Sequence, residues 1–321
     1  MHDMIILGGG PAGLTAGIYA ARANLDVLLL DKQLPGGQLN NTTEVENYPG
    51  FAEPIQGPEL MDQMRRQAER FQLKIQSGEE AVDLELGGKQ GHTVVTGSGR
   101  YAAKTVIIAS GATPVPLPAK GAERLAGRGV SYCATCDGFF FKGQNMIVVG
   151  GGDSALTEAL FLTKFAKEVR IAVRHPQHDP HALRAKDQTL QKRAFEHPQI
   201  RFLWNVTVDE VVGQQKVEGV ILSDLGSGHK RRMDDVGAVF VAIGHRPATG
   251  FLRGKLRMDE EGYLWTDERT RTQAPGVYAV GDVRQFSSRY AQAIIAAGDG
   301  CIAALEAVDY LEDPAWLEES T

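Results

Sequence analysis

The sequence predicts an α/β protein of two three-layer domains, the second inserted into the first, and three observations predict it. The stretch "MIILGGGPAGLTAGIYAARANLDVLLLDK" (residues 4–32) is repeated in plan by "MIVVGGGDSALTEALFLTKFAKEVRIAVRH" (146–175): short apolar strand, glycine turn, amphipathic helix, second apolar strand. A repeat of this kind marks a duplicated supersecondary unit, and short unbroken apolar runs flanking a helix suit buried parallel strands in βαβ units. The closing strands match as well, "TVIIASGATP" (105–114) with "AVFVAIGHRPAT" (238–249). The third observation is a pair of Gly- and Pro-rich stretches, "GATPVPLP" and "GHRPATG", of the composition expected of two linkers between domains.

In chain order, residues 1–114 open one Rossmann-like dinucleotide-binding domain, 115–244 form a second, and 245–321 return to the first with "GVYAVGDV" and a helix from about 290. Between the paired strands, "HTVVTGSGRY" and "VEGVILSDLGSGHKRRMDD" read as hairpins or meanders. Two connections between two domains make a hinge.

The totals bound the function. A chain of 321 residues, 43% hydrophobic and 23% charged, is ordinary for a soluble globular protein with two cores. A net charge of −6 offers no basic face for nucleic acid. No apolar stretch approaches the ~20 residues of a membrane span, and the N-terminus enters a strand with no signal-peptide pattern. Three cysteines cannot be a disulfide framework. The expectation is a cytoplasmic protein, with neither nucleic acid nor membrane as partner. The acidic run "LEDPAWLEES" (311–320) reads as a solvated tail.

Gly8, Gly10 and Gly13 fit G-x-G-x-x-G between a strand and a helix. The first glycine permits the turn, the second lets backbone approach a pyrophosphate, and the third lets the helix pack closely. Asp31, ending the next strand, is placed to bond the ribose hydroxyls of an adenosine. The second copy is Gly150, Gly152 and Ala155. Asp31 lies 23 positions after Gly8; the same step from Gly150 reaches Val173, beside Arg174, with no acid. An adenosine 2′-phosphate would repel an acid and welcome Arg174, so NADP suits this site better than NAD. Two such sites suggest FAD on the first and a pyridine nucleotide on the second. A strand ending in Gly281-Asp282 would bring the Asp282 carboxylate to the flavin's ribityl and pyrophosphate region. A helix from Gln292 would aim its amides at the isoalloxazine ring.

"SYCATCDGFF" holds Cys133 and Cys136. Zinc needs four ligands, and neither a second C-x-x-C nor a well-placed His pair accompanies them, so no metal site is expected. A C-x-x-C pair closes a small ring that opens and re-forms readily, and a helix just beyond it would favour the thiolate. The redox reading therefore outweighs the metal and structural ones. Cys301, in a helix of small residues, reads as a buried packing residue. His175, His178 and His181 are separated by Pro176 and Pro180, which prevent a regular helix, so they read as a solvent-facing loop.

Taken together, "GGGPAG", "PGGQL" with "ENYPG", "ASGATP", "CATCDG", "GGGDSA", "IGHRP", "GDV" and "AAGDGCIAALEA" resemble the low-molecular-weight thioredoxin reductases over essentially the whole chain. The resemblance implies a homodimer that moves electrons from NADPH through FAD to a disulfide and on to thioredoxin, with the two domains rotating between steps. It assigns the flavin-facing cysteine to Cys136, the cysteine that attacks the partner to Cys133, and the proton-moving acid to Asp137. For FAD it implies Pro11 and Ala12 within the first glycine turn, and Lys32 beside Asp31. It further implies Gly37, Gln38 and Leu39 of "PGGQL", Asn47, Ala109 and Gly111 of "ASGATP", and Ala293 after Gln292. For the second nucleotide it adds Asp153 and Ser154 to the glycine turn, and His175 and Arg184 to Arg174.

Two stretches depart from the family pattern. The NADPH signature H-R-R-x-x-x-R is replaced by "VRHPQHDPHALRAKD", with Arg174 and Arg184 ten positions apart. The Arg-Gln before the last helix becomes Ala291-Gln292, after the longer "GDVRQFSSRY". Either a lengthened loop still grips the 2′-phosphate, or the electron donor has changed. The second reading is an NADPH-independent relay on the same scaffold, ferredoxin-linked or with a second FAD, running in either direction.

Overall fold

In the computed structural model the described residues are 1–42, 44–179, 182–185, 187–288 and 290–313. His181, Pro180 and the tail beyond residue 313 lie outside them. The chain divides into two compact units, Met1–Thr113 with Arg246–Thr321, and Pro114–His245.

The first unit begins β1 (His2–Leu7), α1 (Pro11–Arg22), β2 (Val27–Asp31), α2 (Gly57–Arg70), β3 (Lys74–Ser77). It continues through β4 (Ala81–Leu86), β5 (His92–Thr96) and β6 (Arg100–Ile108). The sheet order is β3-β2-β1-β6-β5-β4. β1 runs parallel to β2, with Met4 opposite Val27, and to β6, with Ile5 opposite Val106. The first segment read as a hairpin or meander is an antiparallel meander of β4, β5 and β6. The unbroken apolar run of β1 follows from burial on both faces. Met4 and Ile6 enter one core cluster and Ile5 and Leu7 the other, as the two-residue strand period requires.

The second unit repeats the plan. It contains β8 (Val130–Ser131), α3 (Ala134–Asp137), β9 (Asn145–Val149), α4 (Asp153–Leu162), β10 (Glu168–Val173), α5 (Gln188–Glu196) and β11 (Ile200–Trp204). A short strand, β7 (Ala112–Pro114), precedes them. β12 (Val206–Val212), β13 (Gly219–Asp224) and β14 (Lys230–Met233) form an antiparallel sheet ahead of β15 (Val236–Val241). The parallel sheet has the order β8-β15-β9-β10-β11. Met146 and Val148 of β9 face one cluster and Ile147 and Val149 the other, as in β1.

The chain leaves this unit through β16 (His245–Pro247), which pairs with β7. β17 (Val277–Ala279) then joins the first sheet beside β6, with Tyr278 opposite Ile107. α6 (Ala293–Glu312) packs against α1. Two sheets built around parallel strands, with helices between those strands, make this an α/β fold of two Rossmann-like parts.

Candidate functional site

In the first unit, β1 runs straight into the glycine turn, and the turn needs glycine at two points. Gly8 has φ +109°, and a Cβ there would lie 2.3 Å from the Ala109 carbonyl oxygen. A Cβ at Gly13 would lie 1.9 Å from the Gly8 carbonyl oxygen, so only glycine lets α1 start this close. Gly10 differs: a Cβ there would meet nothing within 4 Å. Gly10 also caps α1 without a side-chain hydrogen bond, and Pro11 follows at the helix start. Open space in front of uncapped helix amides is what a pyrophosphate requires, so these residues fit a dinucleotide.

Several predicted residues converge on this turn. A Cβ on Gly37 would sit 3.3 Å from the Gly10 Cα, and one on Gly281 would sit 3.2 Å from the Ala12 Cβ. The Gln38 side chain donates to the Ala112 carbonyl. Asn47 donates to the Gln292 side chain at 3.1 Å, bringing "ENYPG" to the start of α6, where Ala293 is the first helical residue. Leu39 packs against the core beneath α1. Gly111 is left-handed at φ +69°, in a place where a Cβ would meet nothing. Lys32 is exposed. Asp31 is turned further inward than a purely ribose-binding residue would be. It is buried, one oxygen accepting from the Gly9 N–H at 2.5 Å and the other from the Gln33 N–H at 2.8 Å. Each oxygen keeps a second acceptor position.

β17 ends at Ala279, two residues before the expected end, and Gly281–Val283 forms a single 3₁₀ turn. Burial, reinforced by the charge of Asp299, pushes the Asp282 carboxyl up to about 6. Sequence reasoning missed the group that holds this turn. Asp299 of α6 accepts from the Gly281 N–H at 3.0 Å, from Ser287 at 2.6 Å and from the Arg284 guanidinium at 2.9 Å. Cys301, expected to be buried, is partly exposed, and its thiol contacts the Tyr19 hydroxyl, raising the Tyr19 pKa.

The second turn repeats the geometry. Gly150 has φ +148° and lies against the Ala242 carbonyl, Ala155 is fully buried, and a Cβ on Gly152 would meet nothing within 4 Å. α4 starts at Asp153, followed by the exposed Ser154. The lengthened loop leaves β10 at the exposed Arg174 and makes a turn at 176–179, with the His175 ring 3.5 Å from Asp179. It then comes back to the glycine turn. The Ala185 N–H donates to the Gly151 carbonyl at 3.0 Å, and the Asp187 N–H donates to Asp153 at 3.0 Å. Arg184 is therefore held beside the turn and stays exposed. Among the described residues neither Arg174 nor Arg184 has an ion-pair partner.

Cys133 and Cys136 are joined as a disulfide with Cα atoms 5.3 Å apart. The helix begins inside the motif rather than beyond it. Cys133 is extended at the N-cap, and Ala134–Asp137 form one turn closed by the Asp137 N–H to the Cys133 carbonyl at 3.1 Å. Cys133 thus sits at the N-cap of this turn, where the amides at a helix start favour a thiolate. Burial raises the Asp137 carboxyl above the usual range, and a hydrogen bond from Ser131, 2.6 Å long, opposes that rise. Phe139 and Phe140, next along the chain, are exposed large apolar side chains. Among the described residues no cluster of metal-binding side chains occurs, and no helix is long and apolar enough to cross a membrane.

The profile of the pyridine nucleotide-disulphide oxidoreductases matches residues 2–300. The chain belongs to this family. It is 48% identical over 315 residues to the thioredoxin reductase of Mycolicibacterium smegmatis, covering 98% of this chain and 97% of that one. The thioredoxin reductase of Bacillus subtilis is 44% identical over 314 residues, covering 98% and 96%. Among solved structures, thioredoxin reductase from Streptococcus pyogenes superposes with a TM-score of 0.89 at 43% identity, covering 97% of this chain and 98% of that one. As a member of the pyridine nucleotide-disulphide oxidoreductases, the chain has the two elements the family name calls for: a disulfide, and a glycine turn open to a nucleotide.

Proposed function

We propose that this chain is a thioredoxin reductase, an FAD-dependent enzyme that takes electrons from NADPH and delivers them through Cys133–Cys136 to the disulfide of thioredoxin. The observation that carries the reading is the Cys133–Cys136 disulfide, followed directly by the partly buried Asp137, in a chain that aligns end to end with thioredoxin reductases. Residues 1–114 and 245–321 would bind FAD, and 115–244 the NADPH. FAD, when bound, supplies a carrier able to take a hydride equivalent and return electrons to a disulfide.

The chain's own residues do the rest. Gly8 to Gly13, with Pro11 and Ala12, would cradle the pyrophosphate at the start of α1, and Asp31 would use its remaining acceptor positions on the ribose. Asp282 and Gln292 would close the site from the C-terminal segment. Gly150 to Ala155 would hold the second pyrophosphate, with Arg174, His175 and Arg184 gripping the 2′-phosphate. Cys133, the more amino-terminal and N-capping sulfur, attacks the partner's disulfide. Cys136 resolves it, and Asp137 accepts or returns the proton. Phe139 and Phe140 offer apolar surface for a small protein partner. A cytoplasmic homodimer is the expected working form.

The test is NADPH consumption by FAD-saturated protein with oxidised bacterial thioredoxin. Consumption that rises in proportion to thioredoxin supports the reading, and none above the thioredoxin-free rate refutes it. The lengthened loop after β10 favours one alternative, an NADPH-independent relay with another donor or a second FAD. Two flavins per chain would select it.

A further inference from the structure

Ser131 is the last residue of β8, is 4% exposed, and enters none of the roles above. Its oxygen lies 2.6 Å from Asp137 Oδ2, 3.1 Å from the Cys133 backbone nitrogen and 3.3 Å from the Cys133 carbonyl oxygen. A hydroxyl has one proton to give. The Cys133 N–H is a donor, so the Ser131 oxygen accepts from it and sends its own proton to one of two acceptors. The carboxylate is the nearer, 2.6 Å away against 3.3 Å, and lies at the length of a charge-assisted bond. Once Asp137 takes up a proton, the Ser131 hydroxyl can rotate to the Cys133 carbonyl. One side chain therefore touches both the acid and the backbone of the attacking cysteine, and has a hydrogen bond available in either protonation state.

We propose that Ser131 is a positioning residue of the dithiol relay, joining the Asp137 carboxylate to the backbone of Cys133. The proposal rests on the disulfide-reductase reading and deepens it. In the exchange, the Cys133 thiolate attacks the partner disulfide, forming a mixed disulfide and expelling one partner thiolate. The Cys136 thiolate then attacks the Cys133 sulfur, re-forming Cys133–Cys136 and expelling the second. Two thiols are oxidised and one disulfide is reduced. The two thiol protons end on the partner sulfurs, that of Cys136 by way of Asp137. By favouring the carboxylate form, Ser131 keeps Asp137 able to take that proton.

The surroundings leave this bond as the tunable element. α4, packed against α3, carries Asp153 and Glu158; the 3₁₀ turn Gly138–Phe141 leads to Lys142; and Tyr132 follows Ser131. Among the described residues, none of these charged or titratable groups shifts Asp137; burial moves its carboxyl upward and the Ser131 hydroxyl moves it downward.

The experiment follows the single-turnover reoxidation of pre-reduced holoenzyme across pH, with thioredoxin and separately with the small disulfide dithionitrobenzoate. Ser131→Ala is expected to move the acid limb up by about one to two pH units, the equivalent of a lost hydrogen bond to a charged group. Ser131→Thr keeps the hydroxyl and should restore the parent profile. In an Asp137→Asn background, Ser131→Ala should move nothing. Should Ser131→Ala fail to fold, Ser131→Cys, a weaker donor of similar size, should shift the limb in the same direction by less. An unmoved limb, or an equal shift with Asp137 replaced by Asn, overturns the proposal. A parent that ignores thioredoxin refutes the partner reading alone, because the small disulfide still reads the Ser131 effect.

Discussion

Replacing Arg284 by methionine isolates the ion pair that holds the Gly281–Val283 turn. The side chains of Arg284 and Asp299 are 3% and 9% exposed. The guanidinium donates to Asp299 at 2.9 Å, to Thr266 at 2.8 Å and to the Asp267 carbonyl at 2.9 Å, so all three of its nitrogens are engaged. Methionine fills much of the same volume but leaves the Asp299 charge, among the described residues, with the Gly281 N–H and the Ser287 hydroxyl. Stranding a buried charge in this way costs about 3–5 kcal/mol. The exposed pair Arg66–Asp62, with Arg66 73% exposed, is the control, and Arg66→Met should cost at most ~1 kcal/mol. The assay is urea denaturation at pH 7 of FAD-saturated protein. Adding Asp299→Asn to Arg284→Met should recover a large share of the loss, since the charge is gone and an amide oxygen still accepts from Gly281. An Arg284→Met protein within ~1 kcal/mol of the parent, or a double variant weaker than the single, would refute the reasoning.

Other outcomes follow from the same structure. Burial pushes the Glu158 carboxyl up to about 8, and one of its oxygens has no hydrogen-bond partner among the described residues. The folded state thus binds its proton more tightly than the unfolded chain, and stability falls as pH rises from the ordinary carboxylate range through about 8. Glu158→Gln should raise the Tm at pH 9 and leave it little changed at pH 4, as differential scanning fluorimetry would read. Cys133→Ser and Cys136→Ser should each lower thioredoxin reduction by about a thousandfold or more, while FAD content, measured by absorbance, stays at the parent value. Arg174→Ala and Arg184→Ala should each raise the KM for NADPH about ten- to a hundredfold, as expected for a lost charged hydrogen bond. Steady-state kinetics with NADH should show little change.

What the sequence made legible is what repeats locally. The apolar runs of β1 and β9 identify themselves as doubly buried strands because every residue, not every second one, is hydrophobic. Gly8 and Gly150 identify the turns because no other residue accepts their backbone. Arg284 and Asp299 gave no such sign. They are fifteen positions apart in stretches of different character, and only the packing of α6 brings them together. The return of the long loop was equally silent, since a backbone bond from Ala185 to Gly151 leaves no trace in side-chain type. Ser131 was hidden for a third reason. It ends a two-residue strand, where a serine ordinarily means only that the strand has stopped. The helix at Cys133 was misplaced by a few residues because a helix of one turn has no periodicity to read.

The most direct test of the central claim is an anaerobic titration of the purified, FAD-saturated protein with NADPH, following the flavin absorbance band. Loss of the band at stoichiometric NADPH is the predicted result. A band that persists in excess NADPH yet is lost with dithionite would contradict the account, because the nucleotide grip assigned to Arg174 and Arg184 would then not serve NADPH.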